Sequence, residues 1–281
     1  MQKTVFLNGL YLPEEEAKVS VFDRGFLLAD GVYEVVPVVG GRMIDVAPFW
    51  ERLSHSLEEM ALSWPMSREA LWEMLTALIE KNALQEGGIY MQVTRGVAPR
   101  EFAFPEGVAP TCMAFTFEKR IIDSPEASQG VKVVTVEDIR WKRRDIKSIA
   151  LLGQCIAKEQ AVEQGAFEGW MVEEGCVTEG TSSSAYIVKD GVLITRPLSH
   201  EILPGIRRKL ILDLAPRLGI PVEQRAFTPQ EAYAADEAFL SSATTMLYPI
   251  VEIDGQQIAD GRPGPITQKL RAHYIREALA Q

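Results

Sequence analysis

The chain has 281 residues, 47% hydrophobic and 24% charged, and carries a formal net charge of −10. Such a composition excludes wholesale disorder, and the acidic balance argues against a nucleic acid or an anionic membrane as partner. It leaves room for one small anion in a locally basic pocket, and the length suits one large domain or two ordinary ones.

No apolar run reaches the roughly 18 residues of a membrane span. The opening MQKTVFLNGLYLPEEE has neither the apolar core nor the small-residue cleavage site of a signal peptide, so a cytoplasmic protein is expected. Cys112, Cys155 and Cys176 are scattered, and His55, His200 and His273 lie far apart. Neither set has metal-ligand or disulfide-framework spacing, so no metal is expected.

In chain order, TVFLNGLYL predicts a hairpin turning on Asn8-Gly9. Val32 to Val39 predicts a strand, with Tyr33 on the opposite face from Val32 and Glu34, and Gly40-Gly41 turns it back into a second strand from Met43 to Val46. A helix over Ala47 to Leu62 carries Phe49, Trp50, Leu53, Leu57, Met60 and Ala61 as its apolar stripe, with Arg52 beside it in a snorkelling position. A second helix starts at the N-cap Ser67 and is ended by Gly87-Gly88. Strands follow near Ile89 to Thr94 and Cys112 to Phe117, separated by the long loop RGVAPREFAFPEG.

The stretch 121–130 has the Ser, Pro and Gly content of a linker, giving a smaller domain over 1–120 and a larger one over 131–281. The second half opens with a strand at Val131 and a helix from Ser148. Strands within GWMVEEGCVTEG (169–180), SAYIVKDG (184–191) and VLITRP (192–197) come next, with Asp190-Gly191 as a hairpin turn, then a helix after Leu203-Pro204-Gly205 and a short one capped by Thr228-Pro229. Strands at Glu237 to Ser242 and Ile250 to Ile253 precede a closing helix from Pro265. Strands with interspersed helices in both halves predict a two-domain α/β or α+β protein.

Chemistry gathers around VKVVTVEDIRWKRRDIKSIALLGQ, where Arg140, Lys142, Arg143, Arg144 and Lys147 crowd together. Neighbouring cations and desolvation both disfavour a charged lysine, which makes Lys147 a candidate nucleophile or base. LPGIRR puts a Pro-Gly loop directly before a helix, so the N–H groups of Gly205 and Ile206 suit a phosphate. TEGTSSS sets hydroxyls behind Glu179 and could cradle an anion or be a polar loop, and SSATT at 241–245 is a second hydroxyl-rich turn. A lysine, an acid and an anion cradle together meet the needs of pyridoxal phosphate. A nucleotide fares worse, because there is neither GxGxxG after a strand nor GxxxxGK[ST].

The segments DRGFLLADGVYEVV, ERL, YMQVTRGVAPR, VEDIRWKRRDIKSIALLG, VTEGTSSS, LPGIRR and LSSATT, in this order, resemble the fold type IV transaminases, and among them the bacterial D-amino acid aminotransferases. The resemblance implies a pyridoxal 5'-phosphate enzyme that is a homodimer, with the cofactor between a smaller N-terminal and a larger C-terminal domain. It implies Lys147 as the Schiff-base lysine and proton carrier, and Glu179 as partner of the pyridine nitrogen. It implies Arg52, Gly205, Ile206 and Thr244 as phosphate ligands, with Arg207 contributing through its backbone, and Leu203 against the ring. Tyr33 stands near the substrate carboxylate or the lysine, and Arg100 grips the α-carboxylate across the dimer interface.

The sequence departs from the family at Phe102, where the D-amino acid enzymes usually carry histidine, and at Ser184, where asparagine is common. The expected reaction is ping-pong transfer of an amino group from D-alanine or D-glutamate to a 2-oxo acid. Transamination of branched-chain L-amino acids or (R)-amines, an aminodeoxychorismate lyase, and a non-catalytic small-ligand binder are the alternatives.

Overall fold

The computed structural model describes residues 3–280, which form two compact units. One comprises the residues up to Arg120 with Ile146–Ala150, the other Ile121–Asp145 with the residues from Leu151 onward. The lysine segment, expected in the C-terminal domain, thus clusters with the first unit. The stretch 121–130 is not a free tether. It contains a short helix, Ile121 is fully buried, and the carbonyls of Ile121 and Ile122 both accept from Arg271.

The first unit contains β1 (Thr4–Leu7), β2 (Leu10–Pro13), α1 (Arg24–Leu28), β3 (Gly31–Val39), β4 (Arg42–Met43), α2 (Val46–Glu59), α3 (Arg68–Lys81), β5 (Glu86–Thr94) and β6 (Thr111–Glu118). The expected Asn8-Gly9 hairpin joins β1 to β2, both turn residues having positive φ. The strands form one sheet in the order β2-β1-β6-β5-β3-β4. Every second residue of β3, Val32, Val36 and Val38 among them, is buried with Phe49, Leu53 and Leu57 of α2 and Leu71, Leu75 and Leu78 of α3. Each such side chain contributes about 1.5–3 kcal/mol on burial.

Ser67 caps α3 by accepting from Ala70 N. Gly87 and Gly88 do not end that helix but lie inside β5; the helix stops at Lys81, where the Asn82 side chain donates to the carbonyls of Thr4 and Leu78. Val46 starts α2 instead of closing a strand, and α1, capped by Asp23, lies in a segment with no apolar periodicity to announce it.

Because β4 pairs only with Val38 and Val39, the start of β3 has an open edge. Residues 147–149 cover it: Tyr33 N donates to Lys147 O (2.9 Å) and Ile149 N to Gly31 O (3.1 Å). A Cβ at Gly31 would sit 2.7 Å from Val93 O and 3.0 Å from Ile149 Cδ1, so only glycine lets the segment lie this close. Backbone pairing here delays the helix expected from Ser148 until Leu152.

The second unit contains α4 (Pro125–Gln129), β7 (Val131–Glu137), α5 (Leu152–Glu163), β8 (Glu168–Glu173), β9 (Cys176–Gly180), β10 (Ser184–Lys189), β11 (Val192–Thr195), α6 (Ile206–Arg217), β12 (Val222–Gln224), α7 (Pro229–Tyr233), β13 (Glu237–Ser242), β14 (Met246–Ile253), β15 (Gln256–Gln257) and α8 (Pro265–Leu279). Its sheet runs β12-β11-β10-β13-β14-β7-β8-β9, with β15 on β14. Parallel pairs (β14 with β7, β7 with β8, β11 with β12) occur beside antiparallel ones in the same sheet, which bears out the mixed α/β expectation. Trp170, Ile187, Phe227, Leu240, Tyr248 and Ile250 share one core. Ala157 and Ala161 of α5 pack on Val134, Val136 and Met171, small residues that let the helix approach the strands.

Candidate functional site

Glu179 lies on β9 and is 5% exposed. Its Oε1 accepts from Arg140 Nη1 at 2.5 Å, and both oxygens lie 3.2 Å from Leu203 N. Burial pushes its carboxyl above the ordinary carboxylate range, against the charge and hydrogen bond of Arg140 and the Leu203 N–H, which pull it down. Arg140 is aimed by Asp138, which takes Nε at 2.9 Å and Nη2 at 2.7 Å. Burial raises the Asp138 carboxyl, but the hydrogen bonds and charge of Arg140, with Thr178 and Arg144, outweigh it and hold Asp138 below its usual value.

Two residues beyond Leu203, Gly205 forms the N-cap of α6 with no side-chain capping bond. A Cβ there would lie 2.8 Å from Ser184 Oγ, so glycine keeps this helix start bare. The first turn carries Arg207 and Arg208, both buried, at the end of the helix dipole that is already positive. Burial pushes both guanidinium groups below the usual arginine value. An uncapped helix start loaded with buried cations is stable in the company of an anion, and a phosphate fits it. The Arg207 side chain donates to Tyr274 Oη on α8 and to Ala243 O at 2.7 Å, tying α6 to the turn that holds Thr244. Ser242 N donates to Thr245 Oγ1 (3.1 Å) and shapes that turn. Glu179, Leu203, Gly205, Ile206, Arg207 and the Thr244 turn are thereby brought together in the second unit.

The hydroxyl run 181–183 does cradle an anion, but one of the protein's own. Glu168 on β8 accepts from Thr181 Oγ1 (2.9 Å), Ser182 N and Ser182 Oγ (2.7 Å each) and Ser183 Oγ.

In the first unit, Lys147 is half-buried. Its N donates to Ser56 Oγ (3.2 Å), and its Nζ stands 4.2 Å from the centroid of the Tyr33 ring, which stacks on Tyr90. Arg52, one turn before Ser56 on α2, is buried rather than snorkelling. Its Nε and Nη2 meet the two oxygens of Glu34 at 2.7 Å each, and Glu34 is wholly inaccessible. The alternation of β3 places Glu34 toward α2, and a bidentate pair compensates both charges. Lys147, Tyr33 and Arg52 are thus gathered around α2 and β3. Arg100 and Phe102 lie in the loop after β5. Phe102 is 75% exposed, with Arg100 Cζ 5.5 Å from its ring centroid.

The basic run beside Lys147 differs from its sequence expectation. Lys142 pairs with Glu173, Arg143 with Asp145, Arg144 with Glu173 and Asp138, and Arg140 with Asp138 and Glu179. The cations are matched by carboxylates and form no bare cluster.

Sequence reasoning missed Arg140 as the partner of Glu179 and Asp138 as the partner of Arg140, although D-I-R in an extended chain puts Asp138 and Arg140 on one face. Nothing short-range points to Tyr274, 67 residues from Arg207. Among the described residues there is no cluster of potential metal ligands, and no helix is long and apolar enough to cross a membrane.

The family model described as amino-transferase class IV matches residues 31–253. The chain is 43% identical over 273 residues to a D-alanine aminotransferase of Staphylococcus epidermidis, covering 96% of each. It is 39% identical over 279 residues to one of Bacillus licheniformis, covering 99% of this chain and 98% of the other. Among solved structures, the branched-chain amino acid aminotransferase of Escherichia coli superposes with a TM-score of 0.92 at 25% identity, covering 99% and 95% of the two chains. The branched-chain aminotransferase of Thermoproteus uzoniensis, solved with norvaline, gives 0.88 at 28% identity, covering 100% and 96%.

Proposed function

The chain belongs to the class IV aminotransferases, and from that premise we propose that it is a cytoplasmic, homodimeric D-amino acid transaminase. It moves the amino group of D-alanine or D-glutamate to a 2-oxo acid in two half-reactions, with pyridoxal 5'-phosphate as cofactor. The reading is carried by the bonded series from buried Glu179 through Leu203 to the bare start of α6, an acid and an anion cradle on one loop. The identity to D-alanine aminotransferases over nearly the whole chain supports the choice of substrate.

The cofactor supplies an electron sink for the pair released at the substrate α-carbon. Lys147 carries the proton to and from that carbon, its main chain steadied by Ser56 and the edge of β3. Glu179, oriented by Arg140, would hold the ring nitrogen protonated. Gly205, Ile206 and Arg207 would offer main-chain N–H groups to the phosphate with Thr244 and Arg52, and Leu203 would bound the ring. Arg100 takes the α-carboxylate in the bidentate geometry that guanidinium and carboxylate share, with Tyr33 beside it.

Purified protein should absorb near the cofactor's visible band, and borohydride should fix the cofactor to one peptide, the one containing Lys147. D-alanine with 2-oxoglutarate should yield pyruvate while L-alanine and L-leucine do not. Labelling of another lysine removes the catalytic assignment, and equal turnover of the L-substrates removes the stereochemical one. The exposed Phe102 favours a second activity, on (R)-amines that lack a carboxylate, and (R)-1-phenylethylamine as donor tests it.

A further inference from the structure

The loop that carries Arg100 is anchored on both sides by α1 and the strand end beside it. Before Arg100, Arg24 N donates to Gly96 O (2.9 Å) and Ala98 N to Phe22 O (3.2 Å), with Asp23 and Val97 paired as an isolated bridge. After it, the Arg24 guanidinium donates to the carbonyls of Glu101 and Phe102 (the latter at 3.4 Å). Arg95 stacks on Phe104, its Cζ 3.6 Å from the ring centroid. Only Pro99 and Arg100 lie between the two sets of anchors.

Both arginines are buried and share one carboxylate. Asp30 Oδ2 accepts from Arg24 Nε at 2.7 Å and from Arg95 Nε at 2.8 Å, and Oδ1 from Arg95 Nη2 at 3.0 Å. Arg95 further donates to the carbonyls of Met60 and Ala61 at the end of α2. Two cations on one buried acid are costly unless their remaining N–H groups find acceptors, and here the carbonyls of the 101–102 turn are among them. The network therefore holds the loop, while the Arg100 and Phe102 side chains stay exposed.

We infer that Arg24, with Asp30 and Arg95 behind it, is the positioning residue for Arg100, setting where the loop offers its guanidinium to the carboxylate of amino and oxo acid substrates. The inference rests on the reading of Arg100 as the carboxylate ligand. Arg24 does not touch substrate; it acts through main-chain carbonyls one and two residues beyond Arg100.

The test uses the holoenzyme and three variants. Arg24→Lys keeps a cation for Asp30 but cannot reach two loop carbonyls with a planar fork. It should raise KM for D-alanine and for 2-oxoglutarate together by about tenfold, on the order of a tenth of what a ~1 Å misplacement costs, with a smaller change in kcat. Phe104→Ala leaves the buried ion pairs in place, removes the ring under Arg95, and should raise both values by about threefold. Arg100→Leu is the reference. If it raises both KM values while Arg24→Lys and Phe104→Ala leave them unchanged, or lower kcat alone, the positioning role is overturned. If Arg100→Leu itself changes neither KM, the carboxylate reading fails instead. Should Arg24→Lys not fold, Phe104→Ala decides the question alone.

Discussion

Glu168 and Glu179 stand on neighbouring strands of the same sheet, both nearly withdrawn from water at 1% and 5% exposure. Glu168 accepts four hydrogen bonds, all from neutral donors of three consecutive residues, which fills the roughly four acceptor sites of a carboxylate. Glu179 faces one arginine and one main-chain N–H, so it keeps acceptor capacity and stays next to a charge. The contrast separates structural from chemical acids by how completely the protein's own donors use them. Burial alone does not distinguish them.

Glu179→Gln should lower kcat for D-alanine by about 10²–10³-fold, the scale of losing one preorganised electrostatic partner, with little change in melting temperature. Comparable activity in the two proteins would put Glu179 in the same class as Glu168. Arg140→Met comes next. It leaves Glu179 buried without its cation and should reduce kcat by about tenfold while the Lys147 peptide remains the one labelled by borohydride. Full activity in Arg140→Met would mean that Leu203 alone orients the acid.

Glu168→Gln reverses the pattern. Losing the negative acceptor and adding an amide among hydroxyl donors should cost about 1–3 kcal/mol of stability, seen as a drop in melting temperature, while kcat stays within about threefold. A large fall in kcat at an unchanged melting temperature would break the comparison. The smallest effect expected is a pH slope in the cofactor-free protein. With its pKa raised on folding, Glu179 contributes its stability below the ordinary carboxylate value, and that contribution is lost as pH rises through the raised value. Wild type should therefore lose stability relative to Glu179→Gln as pH climbs from about 4 towards neutrality. Parallel melting curves for the two proteins over that range would show that the acid is not raised.

Much of the local structure was legible in the chain. The Asn8-Gly9 hairpin, the Ser67 cap, the starts of α6, α7 and α8 and the limits of β13 follow from turn chemistry, N-cap residues and periodicity, all set by neighbours in sequence. The errors share one cause. Gly87-Gly88 reads as a helix stop, yet β3 and β6 flank it and draw it into a strand. Ser148 reads as a helix start, yet the open edge of β3 captures residues 147–149 in extended form. Arg52 reads as a snorkelling surface side chain until Glu34, 18 residues away, meets it in the core. Among the candidate site residues, the acid and the anion cradle were legible as types, because carboxylates and Pro-Gly helix starts carry their chemistry locally. Their partners were not: Arg140 for Glu179, Tyr274 for Arg207 and Asp30 for Arg24 are side-chain pairings across distant segments.

By itself the sequence determined the acidic, mixed α/β character of the protein, the order of its hairpins and helices, and the residue types able to handle an amine, a ring nitrogen and a phosphate. These depend on composition and on interactions within a few residues. Tertiary structure alone decided that the hydroxyl run closes on Glu168, that a short segment around Lys147 becomes an edge of the first sheet, and that two buried arginines on Asp30 hold the loop of Arg100. Each of these is a buried polar group finding its complement, and which complement it meets is settled only when desolvation forces distant parts of the chain to pair.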